Sequence, residues 1–198
     1  ELDIERVKAA RAEEVKFLQD EGIYEKRDYG ECIERTGRNP TTVRWIDTDK
    51  GTTGKPNIRC RLVARDFKDR GSVKDDLFAA MPPLEAKKLI FAMCAARWRR
   101  FLAGEVHVPW KVMFIDVKKA HTYATCDDPD AYIELPPEDA EAGKCAKLKR
   151  WLYGMRGAAH GWEMEWQQKF RSEGYEMGKS APTFMKHESK DIRCVVHG

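Results

Sequence analysis

Val112-Met113-Phe114-Ile115-Asp116-Val117-Lys118-Lys119-Ala120-His121 is the segment from which the architecture of this chain is best inferred. Its first part is a run of apolar, partly β-branched residues, which predicts a strand buried on both faces. Asp116 lies at the far end of that run, where an unpaired carboxylate that loses water costs several kcal/mol. It therefore needs a partner, either a lysine or a divalent metal ion. This segment alone also allows a simpler interpretation, in which Asp116 reaches solvent or caps the next turn.

Composition and charge set wide bounds on function. The 198 residues are enough to bury a core, as one large domain or two small subdomains. A net charge of +3 with 35% charged residues is too balanced to imply nucleic acid by itself. The cations, however, form three clusters: Lys55 to Arg70, Arg97-Trp98-Arg99-Arg100 and Lys147-Leu148-Lys149-Arg150. Such clusters are usually solvated surface, but together they suit a groove for a phosphate backbone.

Cysteine usage and hydropathy indicate the compartment. The six cysteines are widely scattered, and none has the spacing of a structural zinc site. Cys60 and Cys94 fall within apolar patterns and are predicted to be reduced core residues, which favours an intracellular protein, cytoplasmic or nuclear. No apolar run reaches membrane-spanning length, and the acidic N-terminus does not have the composition of a signal peptide. No membrane partner is therefore expected.

The first half of the chain predicts a helix followed by a hairpin. The helix is expected from residue 2 to about 20, with Gly22 as its stop, and residues 30–40 are expected to be polar turn. Segments 42–46 and 58–65 are predicted strands of one hairpin. In the second strand, Ile58, Cys60, Leu62 and Ala64 should face one way, and Arg59, Arg61 and Arg65 should share the other face with Val63.

The second half predicts two helices around the Asp116 strand. The first should begin at Pro82-Pro83 and end near Gly104, because Phe91, Ala95, Trp98 and Leu102 repeat at helical spacing between them. Strands are expected at 132–135 and 147–153. The second helix should run from about Gly157 to Gly174 with an aromatic stripe, which is more often core than a ligand platform. Two short strands at 183–186 and 192–197 follow.

Four segments, taken in order, resemble motifs of the reverse transcriptase domain of copia-type retrotransposon polyproteins. They are Arg59 to Phe67, Phe114 to Ala120, Tyr132 to Pro137, and Lys147 to Arg156 with the later Trp162. Each motif alone is weak, but four in the family's order cover essentially the whole chain. The resemblance implies an α+β fold of fingers and palm, in which a small antiparallel palm sheet is backed by helices and the thumb is absent.

The resemblance also implies a division of the chain. Residues 1–105 would form the N-terminal helix, the fingers hairpin and a connecting helix. Residues 106–198 would form the palm strand with Asp116, a fingers insertion at about 124–146 and a partial palm. The family's paired aspartates are expected where this chain ends, at Val195-Val196-His197-Gly198. The chain is thus expected to be a fragment, truncated before that motif.

By the same resemblance, Asp116 would be catalytic and would bind metal together with the backbone carbonyl of Val117. The intact family site would hold two Mg²⁺ ions, which would be weakly bound or absent in this fragment. The expected nucleotide-binding residues are Arg61, Arg65, His121, Tyr153, Gly154 and Arg156. The expected nucleic-acid-binding residues are Arg59, Lys147, Lys149 and Arg150. His121 stands where the family carries Phe or Tyr, so discrimination between sugars is expected to differ.

The function implied is template-directed DNA synthesis by two-metal nucleotidyl transfer, in a fragment that is inactive by itself. Its partners in the intact protein would be an RNA or DNA template–primer, a dNTP and the remaining polyprotein segments. One alternative is a non-catalytic remnant that binds nucleic acid through its basic face. Another is an unrelated α+β RNA-binding module, which is disfavoured because no strand carries the exposed aromatics of a base-stacking platform.

Overall fold

The computed structural model describes residues 2–67 and 79–197, which form helices and small antiparallel sheets. This agrees with the predicted α+β class. The chain divides into two compact units: unit 1 is Glu1–Leu77 with Lys119–Trp162, and unit 2 is Phe78–Lys118 with Glu163–Gly198. The division of the chain at residue 105 into fingers and palm regions was implied by the family resemblance, and it stays a prediction. Of the predicted basic cluster at 55–70, Lys68 and Arg70 lie outside the described residues.

Unit 1 begins with helix α1, Ile4–Asp20. The Asp3 carboxylate caps it by accepting hydrogen bonds from the backbone N–H groups of Glu5 and Arg6, at 3.0 and 3.2 Å. Val15 and Leu18 are buried on its inner side. The predicted helix and its stop before Gly22 are confirmed.

A three-stranded sheet forms the centre of unit 1, in the order β1 (Tyr24–Asp28), β5 (Lys144–Leu148), β4 (Tyr132–Ile133). Helix α2, Tyr29–Thr36, follows β1, although a polar turn was predicted at 30–40. That prediction was wrong because α2 is short and polar, with Cys32 as its buried residue. Strand β5 also ends earlier than predicted. Residues 149–153 leave the ladder, and the Trp151 N–H donates instead to the carbonyl of Ala124.

The predicted hairpin consists of β2 (Val43–Asp49) and β3 (Ile58–Ala64). Cys60, Leu62 and Ala64 are buried as the alternation predicted. Leu62 packs in one apolar cluster with Leu18 of α1. The hairpin therefore turns one face to the core of unit 1 and leaves the other face available.

Unit 2 contains helix α3 (Leu84–Leu102) and a sheet in the order β6 (Glu176–Met177), β7 (Phe184–His187), β8 (Ile192–Val195). Helix α4, Ala158–Ser172, starts in unit 1 and continues into unit 2. The two short C-terminal strands agree with the prediction. Among the described helices, none combines the length and apolar content needed to cross a membrane.

Helix α3 confirms the predicted helix, but large apolar residues that repeat along it are exposed. Phe91, Trp98 and Leu102 are 49%, 42% and 78% accessible, and Ala86 is the buried residue of this helix. Periodicity predicts the helix, but it does not identify what covers its apolar residues. Phe114 lies beside this face, with its ring centroid 6.3 Å from that of Phe91, but it leaves these side chains accessible.

The predicted Asp116 strand is absent from the described residues. Segment 111–117 has no ladder partner there, and Met113, Phe114 and Ile115 are 77%, 82% and 75% accessible. The segment lies beside α3, where the indole N–H of Trp98 donates to the Trp110 carbonyl at 2.7 Å. A strand buried on both faces requires neighbours that satisfy its backbone, and no described element supplies them. Asp116 is exposed, as the simpler interpretation had it.

Candidate functional site

Three predicted site residues meet in unit 1, and we name Arg61, His121 and Tyr153 the Tyr153 cluster. The rings of His121 and Tyr153 are edge to face, with centroids 4.8 Å apart. The guanidinium of Arg61 lies 5.6 Å from the centroid of the Tyr153 ring. Arg61 comes from β3, His121 from a 3₁₀ turn at Ala120–Tyr123, and Tyr153 from the segment after β5. The fold thus joins three stretches that are far apart in sequence.

Arg61 keeps hydrogen-bonding capacity at this position. Its Nε atom is buried and has no hydrogen-bond partner, and no carboxylate among the described residues forms an ion pair with its guanidinium. Stacking on an aromatic face holds the planar group in place without using its donors. An anion that reached it would meet an oriented fork of N–H groups.

His121 is half-buried, and burial lowers the pKa of its imidazole below the usual 6.5. Its Nδ1 atom is buried without a hydrogen-bond partner among the described residues. The ring is therefore neutral at pH 7 and makes its contact with Tyr153 as an uncharged aromatic group.

Gly154 is required by a close approach of two backbone segments. Its φ is 84°, which favours glycine, and a Cβ there would overlap the carbonyl oxygen of Ala64. The neighbouring Tyr153 carbonyl accepts a hydrogen bond from the Ala64 N–H at 2.7 Å. These contacts fix the 153–154 turn against the end of β3, beside the strand that carries Arg61.

The two other predicted nucleotide-binding arginines differ from Arg61. Arg65 is exposed beyond the end of β3, with its guanidinium 5.8 Å from the Phe67 ring centroid. Arg156 forms an ion pair with Asp66 at 3.3 Å, and its backbone N–H donates to the same carboxylate at 3.0 Å. Arg156 thus ties its turn to the chain after β3, whereas Arg65 keeps its charge in solvent.

The four predicted nucleic-acid-binding residues differ in whether their charge is paired with a carboxylate. Arg59 is exposed on the outer face of β3, and Lys147 lies over the Tyr132 ring at 5.5 Å. Lys149 pairs with Glu25 at 2.7 Å and Arg150 with Glu21 at 3.7 Å. The acid-rich start of the chain therefore offsets part of the charge that the sequence indicated for the cluster at 147–150.

Two further cations near Arg59 and Arg61, Arg44 and Lys50, were not identified from the sequence, whereas Lys55 belongs to the predicted basic cluster. Arg44 lies on β2, where Thr48 is opposite Arg59 and Ile46 is opposite Arg61. Lys50 and Lys55 lie at the hairpin end. We name the exposed or half-exposed cations of this hairpin the basic ribbon: Arg44, Lys50, Lys55, Arg59 and Arg61. None of the five forms an ion pair among the described residues. The signal was the alternation of Arg44, Ile46 and Thr48, which places Arg44 on the outer face.

The residues predicted to bind metal offer few suitable ligand atoms. Asp116 belongs to unit 2, and with the Val117 carbonyl it offers few of the hard oxygen ligands that Mg²⁺ requires. The described ranges, 2–67 and 79–197, contain no group of three or more His, Cys, Asp or Glu residues arranged to hold a metal ion. These residues do not fit a two-ion centre.

Comparison with known proteins gives the family. Residues 32–189 match the family described as reverse transcriptase (RNA-dependent DNA polymerase). The chain is 24% identical over 179 residues to a retrovirus-related Pol polyprotein from transposon TNT 1-94 of Nicotiana tabacum, a match that covers 87% of this chain and 12% of that polyprotein. No solved structure matches. Because the family match spans most of the chain, this protein belongs to the copia-type reverse transcriptase (RNA-dependent DNA polymerase) family.

Proposed function

We propose that this chain is the fingers and partial palm of an RNA-directed DNA polymerase and that unit 1 binds the triphosphate of an incoming dNTP. The observation that carries the proposal is the Tyr153 cluster, in which Arg61 is stacked on an aromatic ring with unused donors. A planar guanidinium matches the oxygens of a phosphate in a two-point contact. His121 and Tyr153 form the aromatic wall beside it.

The basic ribbon supplies the second part of the proposal. Its cations lack ion pairs in the described residues, so they are available to a polyanion. In this proposal the ribbon contacts the template strand, and Arg65 adds charge beyond the end of β3. The partners are an RNA or DNA template–primer and the remaining segments of the polyprotein.

Reverse transcriptase domains use divalent metal ions. We infer Mg²⁺ because nucleotide phosphates and carboxylates are hard oxygen ligands. Asp116 and the Val117 carbonyl are the metal ligands that the family resemblance implies in this chain, and they supply few of the oxygens that Mg²⁺ requires. Since the described donor set does not fit two ions, a nucleotide would carry most of the ligands itself. We therefore propose that this chain alone has no polymerase activity.

The nucleotide-binding role is tested by titrating the chain with Mg²⁺–dTTP by calorimetry. Arg61→Ala should weaken binding about tenfold to a hundredfold, because a charge-assisted hydrogen bond contributes roughly 1.5–3 kcal/mol. Arg61→Lys should lose most of the same affinity, since an ammonium lacks the planar fork. Arg6→Ala, which removes an exposed cation of α1, is the matched control and should bind as the wild type does. Equal binding by Arg61→Ala and Arg6→Ala would contradict the proposal.

The absence of polymerase activity is tested by primer extension on an RNA template with Mg²⁺ or Mn²⁺. No extension is expected. Extension that disappears in Asp116→Asn would show that Asp116 has enough ligands for catalysis and would refute this part of the proposal.

A second candidate function is nucleic-acid binding without catalysis. It is favoured by the exposed position of Asp116 and by the charges of the basic ribbon, for which the described part of the chain provides no ion-pair partner. This function predicts that the chain binds an RNA oligonucleotide and that Arg61→Ala does not change the affinity for dTTP. The dTTP titration above therefore distinguishes the two candidate functions.

A further inference from the structure

Helix α1 lies outside the family match, which begins at residue 32, yet it contacts two of the three stretches that carry the Tyr153 cluster. One contact is to the start of the 3₁₀ turn with His121. The other is to the hairpin with Arg61. All of these residues belong to unit 1.

The first contact is an ion pair that is largely removed from solvent. The Glu14 carboxylate accepts a hydrogen bond from Nζ of Lys119 at 2.6 Å, and Glu14 is buried. The same ammonium lies 3.3 Å from the centroid of the Phe17 ring, one turn further along α1. Lys119 is thus held by two residues of α1 at once.

Lys119 also has an unusual backbone. Its φ of 56° and ψ of 38° are left-handed, a conformation that costs about 1–2 kcal/mol for a residue with a Cβ. Its carbonyl accepts hydrogen bonds from the N–H of Thr122 at 2.9 Å and from the Thr122 hydroxyl at 2.8 Å. This residue therefore sets the geometry of the turn in which His121 meets Tyr153, and its side-chain contacts offset the strain.

The second contact reaches the hairpin from its inner side. Arg11 forms an ion pair with Asp47 of β2 at 2.6 Å, and its guanidinium lies 5.4 Å from the Trp45 ring centroid. The carbonyl of Val7 accepts a hydrogen bond from the Cys60 thiol at 3.7 Å. Cys60 is the neighbour of Arg61 on β3, so α1 fixes the strand on which Arg61 is carried.

We propose that α1 is a positioning element for the nucleotide site, in which Glu14 and Lys119 set the turn of His121 while Arg11 and Asp47 set the strand of Arg61. The inference rests on the proposed function and deepens it. It extends the functional domain beyond the family match and makes Glu14, Arg11 and Lys119 positioning residues. None of them needs to touch the nucleotide.

The role of the Glu14–Lys119 ion pair is tested first by amide hydrogen exchange, which requires no nucleotide. In Glu14→Gln the Thr122 amide should exchange about tenfold faster, because removing one partner of a buried pair leaves the other uncompensated. Glu13→Gln makes the same charge change at the adjacent exposed position and should leave this exchange unchanged. Unchanged exchange in the β1–β5 ladder shows that the variant is folded. The double variant Glu14→Lys/Lys119→Glu should recover part of the protection.

The link to the site is tested by dTTP titration of the same variants. Glu14→Gln should bind roughly tenfold more weakly than Glu13→Gln, because small displacements of a positioned group are costly. Equal exchange and equal affinity in the two variants would overturn the proposal, and so would faster Thr122 exchange with unaltered affinity. If the wild-type chain binds no dTTP, the proposed function itself fails, and the exchange data identify that outcome separately.

Discussion

The Tyr153 cluster is formed by side chains that the folded chain brings together, with the Arg61 guanidinium 5.6 Å from the Tyr153 ring centroid and the His121 ring edge to face with the same ring. Arg61, His121, Tyr153 and Gly154 were identified because each belongs to a recognisable segment, and the fold of unit 1 joins them. Arg44 and Glu14 were not identified. Their contributions depend on cross-strand register and on a contact between residues 105 positions apart, neither of which local sequence encodes.

Gly154 should be the least replaceable glycine of the site. Gly154→Ala should lower the free energy of unfolding by more than about 2 kcal/mol, because a Cβ adds an overlap with the Ala64 carbonyl to the strain of a positive φ. Gly22→Ala is the matched control, since φ is 60° there and no atom lies within 4 Å of the added Cβ. It should cost only about 1 kcal/mol. Urea denaturation of both variants measures the difference, and equal losses would argue against the close approach.

His121 predicts a pH dependence of stability. Burial lowers its pKa in the folded chain below 6.5, so the unfolded chain binds more protons in the interval just below 6.5. Above about pH 6.5 the neutral His121 therefore does not lower the free energy of unfolding. As the pH falls below that value, the folded chain becomes less stable. His121→Phe should reduce the loss and should add about 1 kcal/mol at neutral pH by removing a buried nitrogen without a partner.

The measurement is the free energy of unfolding at about pH 5.5 and about pH 7.5, for wild type and His121→Phe. His107→Gln, at an exposed position, is the control. A wild-type loss that His121→Phe does not reduce would mean that other groups cause it.

At the scale of elements, short-range patterns predicted α1, the hairpin, α4 and the C-terminal strands. They also predicted α3, but they misplaced the segment at 111–117, whose apolar residues favour burial without specifying a partner. An apolar strand pattern does not by itself produce a strand, because the backbone N–H and C=O groups also need a neighbouring strand as hydrogen-bond partner. The prediction for helix α2 was wrong in the opposite way. Its residues are typical of a turn, but Cys32 packs in a buried cluster, and this contact stabilises the helix.

The exposed segment at 111–117 predicts self-association. An apolar run with free backbone groups is a site for non-specific strand pairing. Phe114→Lys should raise solubility, measured by light scattering against concentration, and should change the free energy of unfolding by less than about 0.5 kcal/mol. Leu62→Ala, at a buried hairpin position, should cost about 2–5 kcal/mol. A Phe114→Lys loss as large as that of Leu62→Ala would show that Phe114 is buried in solution.

At the scale of the whole molecule, net charge is a poor guide to nucleic-acid binding and the placement of charge is a better one. Lys149 and Arg150 are offset by acidic residues, whereas residues 2–67 and 79–197 supply no ion-pair partner to the basic ribbon. RNA binding by the chain should therefore weaken with salt, with a log–log slope of about −0.7 per phosphate contact.

The triple variant Arg59→Ala/Arg61→Ala/Arg65→Ala should flatten that slope by about 2 for three lost contacts, and Lys147→Ala/Lys149→Ala/Arg150→Ala should change it less. Fluorescence anisotropy at several salt concentrations measures both. The reverse order would place the nucleic-acid interface at residues 147–150.

Photo-crosslinking with 5-iodo-dUTP tests whether unit 1 receives the nucleotide at the Tyr153 cluster. Electron-rich aromatic side chains beside the bound nucleotide capture the activated base, and peptide mass spectrometry locates the adduct. The prediction is adducts on His121 or Tyr153 that excess dTTP suppresses and that Arg61→Ala reduces. Adducts confined to other peptides, or adducts on these residues that dTTP does not suppress, would contradict the claim.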